Sequence, residues 1–340
     1  MPSNSTKILL LLTLVMGMLV SVSSNSWMGA WVGLEINLMS FIPLMNNTKN
    51  MYNTEAALKY FIIQVMASAT LLFMVTMKTT SEDLFTFTNN WLTPMVVCSP
   101  LFLKTGAAPL HWWFPGVMEG LSWENCTLLM TIQKAAPMML MSYMMQMNPM
   151  TLMIIMSSVL VGAIGGLNQT SLRKILTYSS INHTGWMLMT LTSAKSLWMT
   201  YFAIYSTMVM TVVMVLKLSN MSFINQTTMS NKQSTTMKLM MFTSLLSLGG
   251  LPPFLGFLPK WVVIQMMITN NMILMAVTMI TLSLITLYYY LKICYSSLLM
   301  LSTEPKWNTQ QQKSKNTTVM IMSSITLSGM LMCPIIFNII

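Results

Sequence analysis

Apolar stretches of about twenty residues recur along the whole of this sequence, each long enough to cross a hydrocarbon core about 30 Å thick. Little else in the chain would hold it in water. Of its 340 residues 54% are hydrophobic and 7% charged, against roughly a quarter charged in a soluble domain. A bilayer core offers backbone N–H and C=O groups no partner, so a spanning segment must be a helix or part of a closed barrel. These stretches are continuous apolar runs rather than the alternating pattern of barrel strands. The expected fold class is therefore an all-α integral membrane protein.

Eleven spans are predicted, near residues 7–24, 27–45, 55–77, 91–115, 123–147, 149–167, 172–193, 196–218, 238–268, 271–299 and 318–340. The polar connections at 46–54, 78–90, 220–236 and 302–316 are short and leave no room for an extramembrane domain. Basic residues are unevenly shared between the two sides. Lys7, Lys49, Arg173, Lys174, Lys232, Lys238, Lys306, Lys313 and Lys315 fall on the side of the N-terminus, and Lys78 and Lys195 on the other. Lys59, Lys217 and Lys292 lie inside spans but near N-terminal-side ends, within reach of the interface by snorkelling. This bias places the N-terminus inside and, after eleven crossings, the C-terminus outside.

Several function classes drop out. The net charge of +10 comes without a basic block interleaved with aromatics, so nucleic acid is not an expected partner. Cys98, Cys126, Cys294 and Cys333 are scattered without a C-x-x-C pair, which argues against an iron–sulfur or zinc site. The two histidines, His111 and His183, fall on different predicted helices. No G-x-G-x-x-G follows a strand, so no dinucleotide site is expected.

Four charges sit where they cannot reach an interface: Glu35, Lys104, Lys134 and Lys260, each near the middle of a span. A charge at a helix centre costs about 2.5–3.5 kcal/mol even on a lenient insertion scale, and such residues mark ion or proton paths. The alternative is a structural ion pair between Glu35 and one lysine, with the other lysines reaching the interface. Gly29 and Gly33 before Glu35 form a small-x-x-x-small face that lets another helix approach closely. Lys104 is followed by Thr105-Gly106-Ala107-Ala108-Pro109, and with Pro115 this predicts a helix broken at membrane depth. A second break is predicted at Gly249–Pro259, just before Lys260. Either break alone is commonly a packing kink. Together they fall five spans apart, so residues 1–147 and 149–299 read as two five-helix repeats followed by a C-terminal helix at 318–340. An odd number of helices per repeat inverts one against the other, as in ion-coupled transporters with paired broken helices. The whole chain is then one transmembrane domain. His111 and His183 are candidates for linking water-filled segments, since neutral imidazole both donates and accepts; the plainer alternative is a satisfied polar residue inside the bundle.

Longer motifs carry a resemblance. They include Ser24-Asn25-Ser26-Trp27, Gly33-Leu34-Glu35-Ile36-Asn37, Leu103–Pro115 with its Pro109-Leu110-His111-Trp112-Trp113 core, Gln133-Lys134-Ala135-Ala136-Pro137, Gly165–Thr170, Ser180–Trp186 and Gly249–Trp261. Over nearly its whole length the sequence resembles the chain 2 family of mitochondrial NADH:ubiquinone oxidoreductase (respiratory complex I), in the shortened animal form. The resemblance implies an antiporter-like subunit of the membrane arm, part of a proton-translocating enzyme. NADH, flavin, iron–sulfur clusters and ubiquinone would be handled by other subunits, leaving no cofactor in this chain. It further implies that Glu35 is a gating carboxylate, Lys104 its ion-pair partner, Lys134 the central relay and Lys260 the exit-side lysine. Implied partners are the other membrane-arm subunits, among them antiporter-like chain 4 and small chain 4L, together with phospholipids. The implied location is the mitochondrial inner membrane, N-terminus in the matrix and C-terminus in the intermembrane space. The 43 methionines fit an AT-rich mitochondrial genome that reads AUA as Met, and the start Met1-Pro2-Ser3 carries no import signal. The longer bacterial members have three further N-terminal helices that this sequence lacks. Two other functions remain open from the residues: a self-sufficient cation/proton antiporter, and a structural membrane subunit whose charges hold it to its neighbours.

Overall fold

A computed structural model describes residues 4–46, 50–80, 92–194, 196–229, 235–299, 317–327 and 329. Most of the 78–90 connection, all of 302–316, the far part of the last predicted span and Cys333 lie outside the described residues. So do Lys49, Lys195, Lys232, Lys306, Lys313 and Lys315. The described residues are helical almost throughout, and the one β contact among them is an isolated bridge between Ser171 and Phe223.

The helices are α1 (Asn4–Ser23), α2 (Trp27–Met45), α3 (Met51–Thr80), α4 (Leu92–Thr105), α5 (Trp113–Gly120), α6 (Trp123–Met130), α7 (Ile132–Met144), α8 (Pro149–Gly165), α9 (Leu172–Ser193), α10 (Leu197–Ser219), α11 (Ile224–Met229), α12 (Thr235–Gly249), α13 (Phe257–Thr269), α14 (Ile273–Leu299) and α15 (Thr317–Leu327). Five of them, α1, α2, α3, α10 and α14, are long and apolar enough to cross a bilayer unaided. Their outward faces carry large apolar side chains, with Leu274 80% and Leu12 62% exposed. Polar residues turn inward instead: α9 buries Thr177, Ser179, Ser180, Asn182, His183 and Thr184. A soluble protein shows the opposite arrangement; here the surrounding solvent is hydrocarbon. The inward hydroxyls are tied down by their own helix, Ser179 Oγ donating to Leu176 O at 2.8 Å and Ser180 Oγ to Thr177 O at 2.7 Å.

The chain forms two compact units, residues 1–158 and 159–340. In the first, α1 lies along α2, α2 along α3, and α7 packs against α4, α1 and α2. Gly17 and Gly33 make the α1–α2 contact possible. A Cβ on Gly17 would stand 2.8 Å from Asn37 N, and one on Gly33 would run into the Ser21 backbone. The small-residue face thus works through Gly33 with α1 as its neighbour, whereas Gly29 only meets Ser24 and Ser26 beside it. In the second unit α12 packs against α10, α14 and α15, and α9 against α10 and α13.

Both predicted breaks are present, at 106–112 between α4 and α5 and at 250–256 between α12 and α13. Gly106 and Gly250 turn them with φ of 70° and 84°, a region in which a Cβ is strained. Pro115 lies inside α5, at its third residue, not in the break; Pro259 occupies the same place in α13. A first-turn amide has no helical acceptor to lose, so proline is tolerated there.

The span predicted as continuous over 123–147 is divided. α6 ends at Met130 and α7 begins at Ile132, with Thr131 between them at φ −112° and ψ −80°. Thr131 N and Thr131 Oγ1 both donate to Thr127 O, at 3.0 and 2.6 Å, while Lys134 N and Ala135 N share Thr131 O. Back-bonding of a threonine hydroxyl to the preceding turn bends a helix, and no glycine or proline announces the position. The 220–236 connection also holds the short helix α11, where only a polar link was expected.

Candidate functional site

In the first unit the break after α4 leaves carbonyls without helical partners, and neighbouring side chains take them up. Trp113 Nε1 donates to Leu103 O at 3.1 Å and Ser157 Oγ to Ala108 O at 3.0 Å, while Gln64 Nε2 reaches Lys104 O at 3.5 Å. Non-helical backbone persists at membrane depth only where protein or water satisfies it in this way. The same turn aims the Lys104 side chain inward. With Lys134 it lines an enclosed cavity of about 20 Å³, whose walls also include Asn37, Tyr60, Gln64 and Gln133. That is room for about one water with polar partners around it. Lys104 is 7% and Lys134 2% exposed, so neither ammonium reaches an interface. The Lys134 ammonium lies 4.8 Å from the Phe114 ring centroid, a cation–π contact worth roughly 1–2 kcal/mol when desolvated. Gln133 Nε2 donates to Asn37 Oδ1 at 2.9 Å, tying α7 to α2 beside the cavity.

Glu35 stands on a different side of α2. Helical spacing turns Leu34, Asn37 and Leu38 toward the cavity. Glu35, with Val32, Ile36 and Met39, lines an open apolar groove shared with Leu9, Leu10 and Thr13 of α1. Its carboxylate acts electrostatically on Lys104. No ion pair within 4.0 Å joins them, however; among the described residues that contact belongs to Lys59 and Glu55 on α3. The structure thus brings Lys104 and Lys134 together and leaves Glu35 at the unit's surface. His111 also lies outside the cavity, half-buried beside the exposed Trp112, with Nδ1 3.2 Å from Pro109 O.

In the second unit Lys260 follows the other break and is 5% exposed. Its ammonium donates to Gly249 O at 2.8 Å, capping the broken end of α12, and lies 5.9 Å from the Trp186 ring centroid. The missing Cβ of Gly250 gives it passage, since a Cβ there would stand 3.1 Å from Lys260 Cδ and Nζ. Across the same break Leu255 N donates to Thr326 O at 3.1 Å, so α15 helps satisfy the opened backbone. His183, one turn before Trp186 on α9, is buried and shares a 2.9 Å hydrogen bond with the Tyr201 hydroxyl.

Several polar residues around these charges carry no mark in the sequence. Gln64 and Tyr60 carry no charge and belong to a span that reads as an ordinary apolar helix. Buried Tyr201, Tyr205, Tyr289 and Tyr290 were equally unmarked. The spacing Tyr201–Tyr205, i to i+4, was the one available sign that two of them share a helix face.

Comparison with known proteins gives this arrangement its context. A family model described as the transmembrane part of NADH:quinone oxidoreductase/Mrp antiporter proteins matches residues 24–286. NADH-ubiquinone oxidoreductase chain 2 of Locusta migratoria is 46% identical over 97% of this chain and 97% of its own length. The chain 2 protein of Anopheles gambiae is 45% identical over 96% of both. Among solved structures, respiratory complex I from Thermus thermophilus holds a chain that superposes with a TM-score of 0.81, covering 97% of this chain and 79% of that one at 22% identity. That last likeness is one of fold. With near full-length identity to the insect proteins added to the family match, the chain belongs to the NADH-ubiquinone oxidoreductase chain 2 family.

Proposed function

We propose that this chain is a proton-translocating subunit of the membrane arm of NADH:ubiquinone oxidoreductase, a multi-pass protein of the mitochondrial inner membrane. Its N-terminus then faces the matrix and its C-terminus the intermembrane space, following the bias of basic residues. The catalytic unit is the assembled complex. Electrons pass from NADH to ubiquinone through groups held in other subunits, and this chain moves protons. Its neighbours are other membrane-arm subunits, chain 4 and chain 4L among them, with phospholipid around the apolar faces.

The observation that carries this reading is that two buried lysines, Lys104 and Lys134, line one water-sized cavity at a helix break. Two ammonium groups around one such cavity repel, so a proton held by one disfavours a proton on the other and their titrations are coupled. Glu35 biases the pair from the far face of α2: screening or protonating it removes a favourable charge from Lys104. A partner that moves against Glu35 therefore pushes a proton from Lys104 toward Lys134. Lys260 plays the corresponding exit role in the second unit, where Gly249 O and the Trp186 ring hold its charged form. His183 and His111 are hydration links. Moving a proton against the membrane potential costs about 2.3 kcal/mol per 100 mV, and no group in this chain supplies it, so the drive arrives from its partners.

Native gel separation of solubilised mitochondrial membranes tests the assignment. The chain should co-migrate with the large NADH-oxidising band. Migration apart from that activity would favour a stand-alone cation/proton antiporter, a second reading supported by the Mrp antiporters in the same family model. That reading requires the purified chain to exchange cations for protons in liposomes. A purely structural role requires the complex to pump normally with Glu35, Lys104, Lys134 and Lys260 all neutralised.

A further inference from the structure

The interior of the second unit holds a thread of polar side chains that the four charges do not account for. Tyr201, Tyr205, Tyr289 and Tyr290 are all buried, although phenylalanine would fill the same space without the cost of a buried hydroxyl. Asn182 Oδ1 and Trp186 Nε1 are buried with no direct hydrogen-bond partner among the described residues. Buried polar atoms in native proteins are satisfied, by water if not by protein. Two such atoms on α9, beside this tyrosine cluster, indicate that water belongs there.

The groups are also in sequence. One end is a cavity of about 120 Å³, room for several waters, lined by Gln169, Lys292 and Tyr289 among others. Its lining includes Lys292 and, on either side of Arg173 and Lys174 in the chain, Gln169 and Ile175, which by the positive-inside rule puts it at the inner face. Tyr289 stands against Tyr290 with ring centroids 4.7 Å apart. The Tyr290 hydroxyl neighbours Ser179, and Tyr205 neighbours both Tyr290 and Ser180. Each serine gives its own hydrogen to an α9 carbonyl, so toward its tyrosine it is the oxygen that accepts. The Tyr205 ring lies 5.1 Å from the ring of His183, whose Nδ1 meets Tyr201. Tyr201 in turn borders a cavity of about 10 Å³ with Thr190, Thr200 and Pro259, the residue before Lys260.

We propose that Tyr289, Tyr290, Ser179, Tyr205 and Ser180 form a proton-uptake path that runs from the Gln169–Lys292 cavity at the inner face to His183 and on toward Lys260. A proton entering from the cavity passes along hydroxyls and intervening waters. Each phenol accepts one proton on its oxygen as it gives up its own, so no phenolate forms and the path ends as it began. The serines hold the acceptor oxygens in place, and the tyrosine rings keep the thread one molecule wide.

This inference rests on the proton-translocating reading, and its test separates the two. Tyr205→Phe and Tyr290→Phe each remove one oxygen and keep the ring, and Ser180→Ala removes a hydroxyl without touching a ring. Each is introduced into the chain and measured in the intact complex in sealed inner-membrane vesicles, beside Lys260→Met and Tyr288→Phe. Tyr288 is exposed on the outer side of α14. The expected result is a loss of protons pumped per electron in the interior variants, with NADH oxidation retained and an altered rate ratio between H₂O and D₂O. Tyr288→Phe should match the parent. Parent-level pumping in the interior variants alongside reduced pumping in Lys260→Met would overturn the path and leave translocation standing. Parent-level pumping in Lys260→Met as well would overturn translocation itself.

Discussion

Lys134 shows how a single side chain is kept charged-capable inside apolar surroundings. Its ammonium has the Phe114 face and the polar wall of a cavity that fits one water. Lys134→Met keeps the stem and its packing but removes the proton site. Proton pumping by the complex should fall about tenfold or more, while the band on a native gel stays intact. Lys134→Ala would add a void and cost about 2–5 kcal/mol of stability besides, so the Met variant is the cleaner comparison. Gly250 is the second residue whose chemistry is decided locally. Gly250→Ala places a Cβ against Lys260 at a φ of 84°. The expected cost is about 1–3 kcal/mol. Thermal inactivation of NADH-driven pumping should set in at lower temperature than in the parent, because the ammonium is pushed off Gly249 O.

Contacts between helices carry the next set of consequences. The α1–α2 pair depends on Gly33 meeting the Ser21 backbone directly, so Gly33→Leu should prevent the helices from closing. The loss should appear as reduced assembled complex on a native gel, whereas Gly116→Ala, with open space around its Cα, should assemble normally. The Gln133–Asn37 hydrogen bond joins α7 to α2 at the cavity wall. Gln133→Leu strands a buried amide at a cost of about 1–3 kcal/mol, and Asn37→Leu in the same chain should recover part of it. A double-mutant comparison of thermal stability measures that coupling. The helix spans themselves were largely legible. Trp27–Met45 and Leu172–Ser193 were delimited from hydrophobicity and neighbouring polar residues alone, and both breaks were announced by glycine and proline. The division at Thr131 was not, because it arises from a threonine hydroxyl choosing its own helix carbonyl, a choice that many threonines make without bending anything.

At the scale of the whole chain, orientation can be read from solvent access at two positions between predicted spans. Asn225 is exposed in the first turn of α11 and Asn270 just past the end of α13. If the basic residues set the topology, Asn270→Cys should react with a membrane-impermeant maleimide from the intermembrane-space side. Asn225→Cys should react only once the inner membrane is opened. Labelling of both from one side would refute the arrangement. Composition and order of residues by themselves determined that this chain must live in a bilayer, that it is helical, where most of its spans run and that Lys104, Lys134 and Lys260 lie in its interior, whereas Glu35, expected beside them, does not. These are consequences of local chemistry: apolar runs, breaker residues and isolated charges act on the segment that carries them. Which groups meet was decided only in three dimensions. Lys104 and Lys134 come to one cavity with Leu34 and Asn37 of α2, Glu35 turns to an outer groove on another face of α2, and Gly33 finds α1. A rotation of about 100° per residue separates Leu34 from Glu35, and the neighbour that each face receives is set by packing between segments distant in the chain.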